Sequence, residues 1–432
     1  MLEADLPFEI KDERPLRYIF LDLNSYFASV EQQEDPSCRN KPVGVVPVNS
    51  NGSVLVAASY EAKAYGIRTG TRVWDAKQMC PDIILKTPDF HTYSYYHHRV
   101  LEATEQIIPI DKVCSVDEFQ IELLGRERVR ETALELAQKI KSKIQSQVGE
   151  CITSSIGIAP NPFLAKIGTE IEKPNGLVVI EKDEIEEKLS ALKLTDLPGI
   201  NHRMKLRLYA RGILTVSALL QASRTELLTA FGSIIGERWW YMLRGYMIPI
   251  PRGGRKSLGH SHVLPPEHRN EAGAKQVMMR LIQKAASRMH SEKLWAKGMA
   301  IRVSGYHRSW GDKMKLSATQ DFNKFIEYFL EMWKKRDFLS PRKVSVTFYH
   351  FVKQDEVTPS LFDPQVDRVK FNRAVDDINL KFGKQTIYLA GMQKAKNTGK
   401  EKLAFEKTTL FYEGKEGEKK PGKELKEEKK SL

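Results

Sequence analysis

Tyr18-Ile-Phe-Leu-Asp22-Leu-Asn-Ser-Tyr-Phe-Ala28 and Lys112-Val-Cys-Ser-Val-Asp117-Glu118 are two β-like runs, and each leads into acid. A short apolar run of this kind reads as a buried strand. A buried strand that ends in an unpaired carboxylate is costly, because the charge loses its hydration. Two such ends, remote in sequence, make sense if they meet and share cations. Carboxylate oxygens are hard ligands suited to magnesium, and phosphoryl transfer needs them clustered where a triphosphate can reach. Asp22, Asp117 and Glu118 are the candidate ligands. Adjacent residues of a regular strand point to opposite faces. Asp117 and Glu118 can therefore serve one site only where the chain bends, as at a hairpin tip.

The bulk composition agrees with that chemistry. The chain has 432 residues, 41% hydrophobic, with 18 Phe, enough for roughly two to four domains with real cores. Its net charge is +13 and its pI is near 9.3, which suits a polyanionic partner such as nucleic acid. Cys38, Cys80, Cys114 and Cys151 form no C-x-x-C pair and no zinc spacing, so they read as reduced thiols in a reducing compartment. The acidic N-terminus lacks a signal-peptide core, and no apolar run approaches the ~18 residues that span a bilayer. The expectation is a soluble intracellular protein with no membrane contact.

Along the chain, 16–23 reads as a strand and a helix starts near Tyr26. Residues 42–48 and 53–58 read as strands around an Asn51-Gly52 turn. Two short helices broken at Gly66 and Gly70 fill 60–80, and 91–108 is helical in period. Residues 112–124 read as β, 126–148 as one amphipathic helix and 151–159 as β. Asn161-Pro162 is a helix start, with Asn as cap and Pro at the first helical position. Short helices follow over 191–248. Strand-like runs at 299–303 and 343–348 then alternate with helix-like runs at 272–290, 321–334 and 368–381. The fold class is α/β (α+β) and multidomain. After Met392 the chain turns Lys/Glu-rich and is expected to be disordered.

Six segments, in order, resemble the motifs of Y-family (translesion) DNA polymerases, closest to the bacterial polymerase IV and V branch. They are Asp22-Leu-Asn-Ser-Tyr-Phe-Ala-Ser-Val-Glu31, Ser59-Tyr-Glu-Ala-Lys-Ala-Tyr-Gly66, Ser115-Val-Asp-Glu118, the block from Ser155-Ile-Gly-Ile-Ala159 through Leu164-Ala-Lys-Ile167 to Lys173-Pro-Asn-Gly176, Leu197-Pro-Gly-Ile200, and Lys256-Ser-Leu-Gly-His-Ser-His262. The resemblance implies a right-hand polymerase: an N-terminal extension (1–15), palm (16–31 and 91–190), small fingers (32–90), helical thumb (191–248), linker (249–256), α/β little finger (257–392) and charged tail (393–432). It implies template-directed addition of deoxynucleotides to a primer 3′-OH, at low fidelity and without proofreading, in DNA damage tolerance. The place implied is the bacterial cytoplasm, on the nucleoid during repair.

Carried over residue by residue, the resemblance makes Asp22, Asp117, Glu118 and the backbone carbonyl of Leu23 the ligands of two Mg2+ ions. It makes Phe27 a steric gate against the ribose 2′-OH, and Tyr60, Lys63 and Lys173 holders of the triphosphate. Lys63 stands where the family often has Arg, which keeps the charge but loses the bidentate fork. Lys166, read as on the same helix as Lys173, is a supporting cation. Gly199 and Asn201 would meet a DNA phosphate in the thumb, with Asn201 in place of a second Gly and tolerant of a left-handed backbone. Arg302, His307, Arg308, Arg342 and Lys343 would line the duplex backbone, with strong salt dependence. Thr358-Pro-Ser-Leu361-Phe362 and Thr408-Thr-Leu410-Phe411-Tyr412 resemble sliding-clamp peptides. The protein is read as a monomer on primer-template DNA. The alternative is a non-catalytic, polymerase-like DNA-binding adaptor in translesion synthesis; retention of all three carboxylates argues against it.

Overall fold

The computed structural model describes residues 14–249, 255–337, 340–357, 365–383, 386–396 and 398. The chain forms two compact units, one within residues 14–249 and the other within 255–398. The first begins with β1 (Tyr18–Leu23), buried at every position. Asn24 and a left-handed Ser25 (φ 47°) turn it into α1 (Tyr26–Glu34). A small sheet follows, in which β2 (Val43–Val45) pairs antiparallel with β3 (Ala57–Ala58) and parallel with β4 (Ile84–Lys86). α2 (Tyr60–Ala64) and α3 (Val73–Met79) lie between β3 and β4 in sequence. The Asn51-Gly52 turn does not close a tight hairpin. Local turn bonds, Ser50 N–H to the Val48 carbonyl and Ser53 N–H to the Ser50 carbonyl (both 2.9 Å), use up the backbone there. Of the early part of the expected second strand, only a bridge from Val54 to Arg72 remains.

α4 (Phe90–Glu105) leads to β5 (Lys112–Val113) and β6 (Glu118–Glu122). The stretch expected to be continuous β is thus a hairpin with its tip at 114–117. The Cys114 and Ser115 N–H groups both donate to the Glu118 carbonyl, at 2.9 and 3.3 Å, and close that tip. After α5 (Arg130–Gln147) come β7 (Ser154–Ala159), α6 (Pro162–Ile171) and β8 (Leu177–Val179). The sheet order is β5-β6-β1-β7-β8, with only β7–β8 parallel. β1 is central, which explains its apolar run up to Asp22. Asn161 caps α6 as expected, its Oδ1 accepting the Leu164 N–H at 2.8 Å. α6 lies so close on β7 that a Cβ at Gly157 would stand 2.0 Å from the Ala165 carbonyl oxygen. Only glycine permits that approach, and it brings α6 over the end of β1.

α7 (Ile185–Ser190), α8 (His202–Tyr209), α9 (Val216–Gln221), α10 (Arg224–Phe231) and α11 (Ile234–Met242) complete the first unit. They share a core that includes Leu197, Leu208, Leu219, Leu227 and Trp239.

The second unit is a four-stranded antiparallel sheet with helices on one face. Its elements are β9 (Ser257–Val263), α12 (Glu271–Ser291), β10 (Leu294–Ser304), β11 (Ser309–Thr319), α13 (Phe322–Lys334), β12 (Lys343–Lys353) and α14 (Gln365–Phe382). The strand order is β11-β10-β12-β9. Met299, Ile301, Val344, Val346 and Phe348 pack with Phe325 and Phe329 in its core. β10 and β12 are central and read as apolar runs. β9 and β11 are edge strands with polar, lysine-bearing or glycine-bearing sequences, so an apolar-run reading passes over them. Both clamp-like segments, Leu361-Phe362 and Leu410-Phe411, lie outside the described residues. Among those described, no helix is long and apolar enough to cross a membrane.

Candidate active site

The carboxylates gather at the end of β1 because of strand register. Glu118 stands directly opposite Asp22 in the β1–β6 pairing, and opposed residues of an antiparallel pair share a face. Asp117 precedes β6 in the hairpin tip, so strand alternation does not send it away. The Leu23 N–H donates to the Asp117 carbonyl at 2.9 Å, and Ser115 Oγ donates to Asp117 Oδ1 at 2.6 Å. Burial, with the charges of Asp22 and Glu118, pushes the Asp117 carboxyl up to about 6 against the Ser115 hydrogen bond.

Two lysines neutralise the cluster. The Lys166 ammonium bridges Asp22, Glu118 (2.9 Å) and Glu170 (3.1 Å). Lys173 reaches Asp22 at 3.0 Å and Glu170 at 2.8 Å. Asp22 is 7% exposed, so removing one member would strand a partly buried charge. Burial alone would lower the Lys166 pKa, but the three carboxylates outweigh it and hold it well above the usual lysine range. The same lysines hold Glu170 below its ordinary value despite burial. Lys173 is not on the helix of Lys166: α6 ends at Ile171, and Lys173 lies in the turn beyond it. Glu170 was missed by sequence reasoning. Its signal was its spacing, four residues after Lys166 and three before Lys173.

Among the described residues, no three His, Cys, Asp or Glu side chains are already gathered as a metal-binding group; Asp22 and Glu118 close on Lys166 instead. The donor chemistry nevertheless fits a hard divalent cation. It consists of carboxylate oxygens, with the Asp117 carboxyl raised above its ordinary value by burial and then by its anionic neighbours.

Tyr60 and Lys63 face this cluster from α2. Lys63 Nζ donates to Ser25 Oγ at 2.7 Å and stands 4.2 Å from the Tyr60 ring centroid. Burial, then the charge of Lys173, lowers the Lys63 ammonium pKa. Burial, with the charges of Asp22 and Glu170, pushes the Tyr60 phenol up to about 12. Phe27 on α1 is 3% exposed and stacks on Tyr93, with ring centroids 4.6 Å apart. Tyr93 is itself anchored by a 2.6 Å bond from its hydroxyl to Glu31. Asn24, in the turn after β1, is buried there. It accepts from Thr153 Oγ1 (3.1 Å) and the Asn175 N–H (2.8 Å), and donates to Ser155 Oγ (2.9 Å).

His97 supports the same hairpin tip from α4. It is wholly buried, and its Nδ1–H donates to the Val116 carbonyl at 2.7 Å, one residue before Asp117. Burial pulls the imidazole down to about 4. The folded state thus excludes the charged form. The stability this group contributes is full above its unfolded pKa and is lost as pH falls from about 6.5 towards 4, by at most about 1.4 kcal/mol per pH unit. His97→Gln is therefore expected to flatten the acid-side fall in Tm over that range. Parallel Tm–pH curves for the variant and wild type would contradict it.

The expected DNA-facing residues divide between the two units. In the first, Gly199 is left-handed (φ 102°), the conformation glycine adopts freely. Asn201 is not: its φ of −83° is extended, and its Oδ1 caps α8 by accepting the Met204 N–H at 2.9 Å. Its tolerance of left-handed backbone is not used. In the second, Arg302 opposes Ser345, and Lys343 opposes Ser304, which puts both cations on the open face of the sheet. Lys313 and Lys315, opposite Ala300 and Gly298, join them and were missed with their strand. Arg308 is exposed between β10 and β11, 3.8 Å from Asp337.

The impB/mucB/samB family matches residues 21–170, and its C-terminal domain matches 255–361. The chain is similar to a protein of Moorella thermoacetica named DNA polymerase IV, 28% identical over 384 residues, covering 86% of this chain and 95% of the relative. A DNA polymerase IV of Alkalilimnicola ehrlichii is 32% identical over 295 residues, covering 67% of this chain and 81% of the relative. Among solved structures, a Y-family DNA polymerase chimera has a similar fold, with a TM-score of 0.65 at 24% identity, covering 78% of this chain and 99% of that one.

Proposed function

The chain belongs to the impB/mucB/samB family and is a Y-family, DNA-directed DNA polymerase of the translesion type, and from that premise we propose that Asp22, Asp117 and Glu118 are its catalytic carboxylates. A DNA polymerase uses primer-template DNA and deoxynucleoside triphosphates, and the family is metal-dependent. The observation that carries the reading is the register of Asp22 against Glu118, with Asp117 on the adjoining tip.

The three carboxylates and the Leu23 carbonyl would hold two Mg2+ ions, which when bound would supply positive charge to offset the repulsion between the attacking 3′-oxygen and the phosphates. Asp117 serves as a ligand in its ionised form. Lys166 and Lys173 balance the carboxylates before the substrate arrives. Lys173, with Tyr60 and Lys63, then takes the triphosphate charge. Phe27, backed by Tyr93, meets the sugar where a 2′-OH would project.

The Gly199–Asn201 turn and the first N–H groups of α8 approach a DNA phosphate. Arg302, Arg308 and Lys343 grip the backbone without reading sequence. Low fidelity without proofreading, a monomeric state, clamp docking through Leu361-Phe362 or Leu410-Phe411, and a cytoplasmic, nucleoid-associated site belong to the same proposal. The adaptor alternative is not favoured.

Primer extension in Mg2+ tests the function. The full chain is expected to extend a primer on an undamaged template and past an abasic site. Failure on both templates, with the duplex bound, would contradict it.

A further inference from the structure

The turn that carries Lys173 is held from two sides, and one of the holders lies outside the site. Lys141, on α5, donates its ammonium to the carbonyls of Ser154 (2.6 Å), Asn175 (2.8 Å) and Gly176 (3.1 Å). An ammonium has three donors, and all three are used. Its helix neighbour Lys139 is exposed and makes only a 3.8 Å pair with Glu135, the ordinary condition of a lysine on an amphipathic helix. Burial draws the Lys141 ammonium down to about 8, so this placement costs solvation and needs the carbonyls to sustain it.

From the other side, the Asn175 N–H donates to Asn24 Oδ1 (2.8 Å) and the Gly176 N–H to Ser155 Oγ (3.3 Å). Asn175 is left-handed, with φ 59°. Asn175 and Gly176 thus each have both their N–H and their C=O held, two residues from Lys173, whose ammonium stands 3.0 Å from Asp22.

We propose that Lys141 is a positioning residue for nucleotide binding: by clamping the Asn175 and Gly176 carbonyls to the start of β7, it sets where Lys173 presents its charge to the incoming triphosphate. The proposal rests on the polymerase reading above. Lys141 touches neither substrate nor metal ligand, so its effect passes through Lys173 and falls on nucleotide affinity. A residue that merely stapled α5 to the sheet would change Tm and leave the KM of a folded variant unchanged.

Single-nucleotide incorporation by the full chain, with primer-template and Mg2+, separates these. In Lys141→Met, KM for the deoxynucleotide is expected to rise about tenfold, while kcat stays within about threefold and duplex affinity is unchanged. Lys141→Arg, which keeps the donors, brings KM back to within about threefold of wild type. In a Lys173→Met background, Lys141→Met adds less than about twofold, because the group it positions is gone. If Lys141→Met does not fold, Lys141→Gln carries the same comparison. A normal KM in a folded Lys141 variant, or full additivity with Lys173→Met, overturns the positioning role while the polymerase reading stands. A normal KM in Lys173→Met overturns the role given to Lys173, and the proposal falls with it.

Discussion

Asp117→Ala and Glu118→Ala are each expected to lower primer extension at least about a thousandfold, equivalent to about 4 kcal/mol of transition-state stabilisation. Duplex affinity is expected to hold or tighten, because removing an anion from a DNA-facing site reduces repulsion. Asp117→Ala should differ from Asp22→Ala in stability. Asp117 is an anion crowded by Asp22 and Glu118, so its loss relieves the cation-free protein. Asp22 is the anion shared by Lys166 and Lys173, so its loss takes a carboxylate from two partly buried ammonium groups, leaving them Glu170 and Glu118, and lowers Tm. Extension that persists in both Asp117→Ala and Glu118→Ala would remove the catalytic assignment. A thousandfold loss accompanied by an equal loss of duplex binding would do the same.

Phe27→Ala is expected to raise ribonucleotide incorporation relative to deoxynucleotide about a hundredfold, close to 2.7 kcal/mol of lost steric discrimination. The ring has a second role that the motif alone conceals. It is 3% exposed and stacked on Tyr93, so truncation also costs about 3–4 kcal/mol of packing. Phe27→Leu separates the two effects: it keeps much of the volume, and so most of the stability, while giving up part of the barrier to the 2′-OH. Single-nucleotide assays with matched ribo- and deoxynucleotides read the discrimination, and thermal unfolding reads the packing. Unchanged sugar selection in a folded Phe27→Ala protein would leave Phe27 as a core aromatic and no gate.

Much of this site was legible because its determinants are local. A strand buried on both faces must be largely apolar, and 18–21 is; the acid at Asp22, near its end, then stands out. Asn161-Pro162 marked the start of α6 through capping chemistry that needs no tertiary context. The mixed α/β, multidomain architecture followed from the alternation of such runs. What stayed hidden depends on partners distant in sequence. The hairpin tip that aims Asp117 is closed by backbone bonds to the Glu118 carbonyl, which no side-chain pattern records. β9 and β11 lie at the sheet edges, where burial does not write an apolar run, and so Lys313 and Lys315 of β11 went unseen. Lys141 looks like one more helix lysine until the carbonyls of Ser154, Asn175 and Gly176 are placed around it. Asn201 shows the opposite hazard. A conformational preference was invoked for it, and the turn uses its side chain as a helix cap instead.

Lys166 now occupies the place between Asp22 and Glu118, so the most direct test of the account is to see what replaces it. Crystals of the full chain with primer-template, a deoxynucleoside triphosphate and Mn2+ would locate the ions by anomalous scattering. Anomalous peaks ligated by Asp22, Asp117 and Glu118, with Lys166 drawn away from them, are the expected result. Ions bound elsewhere, with Lys166 still bridging Asp22 and Glu118 in the ternary complex, would contradict it.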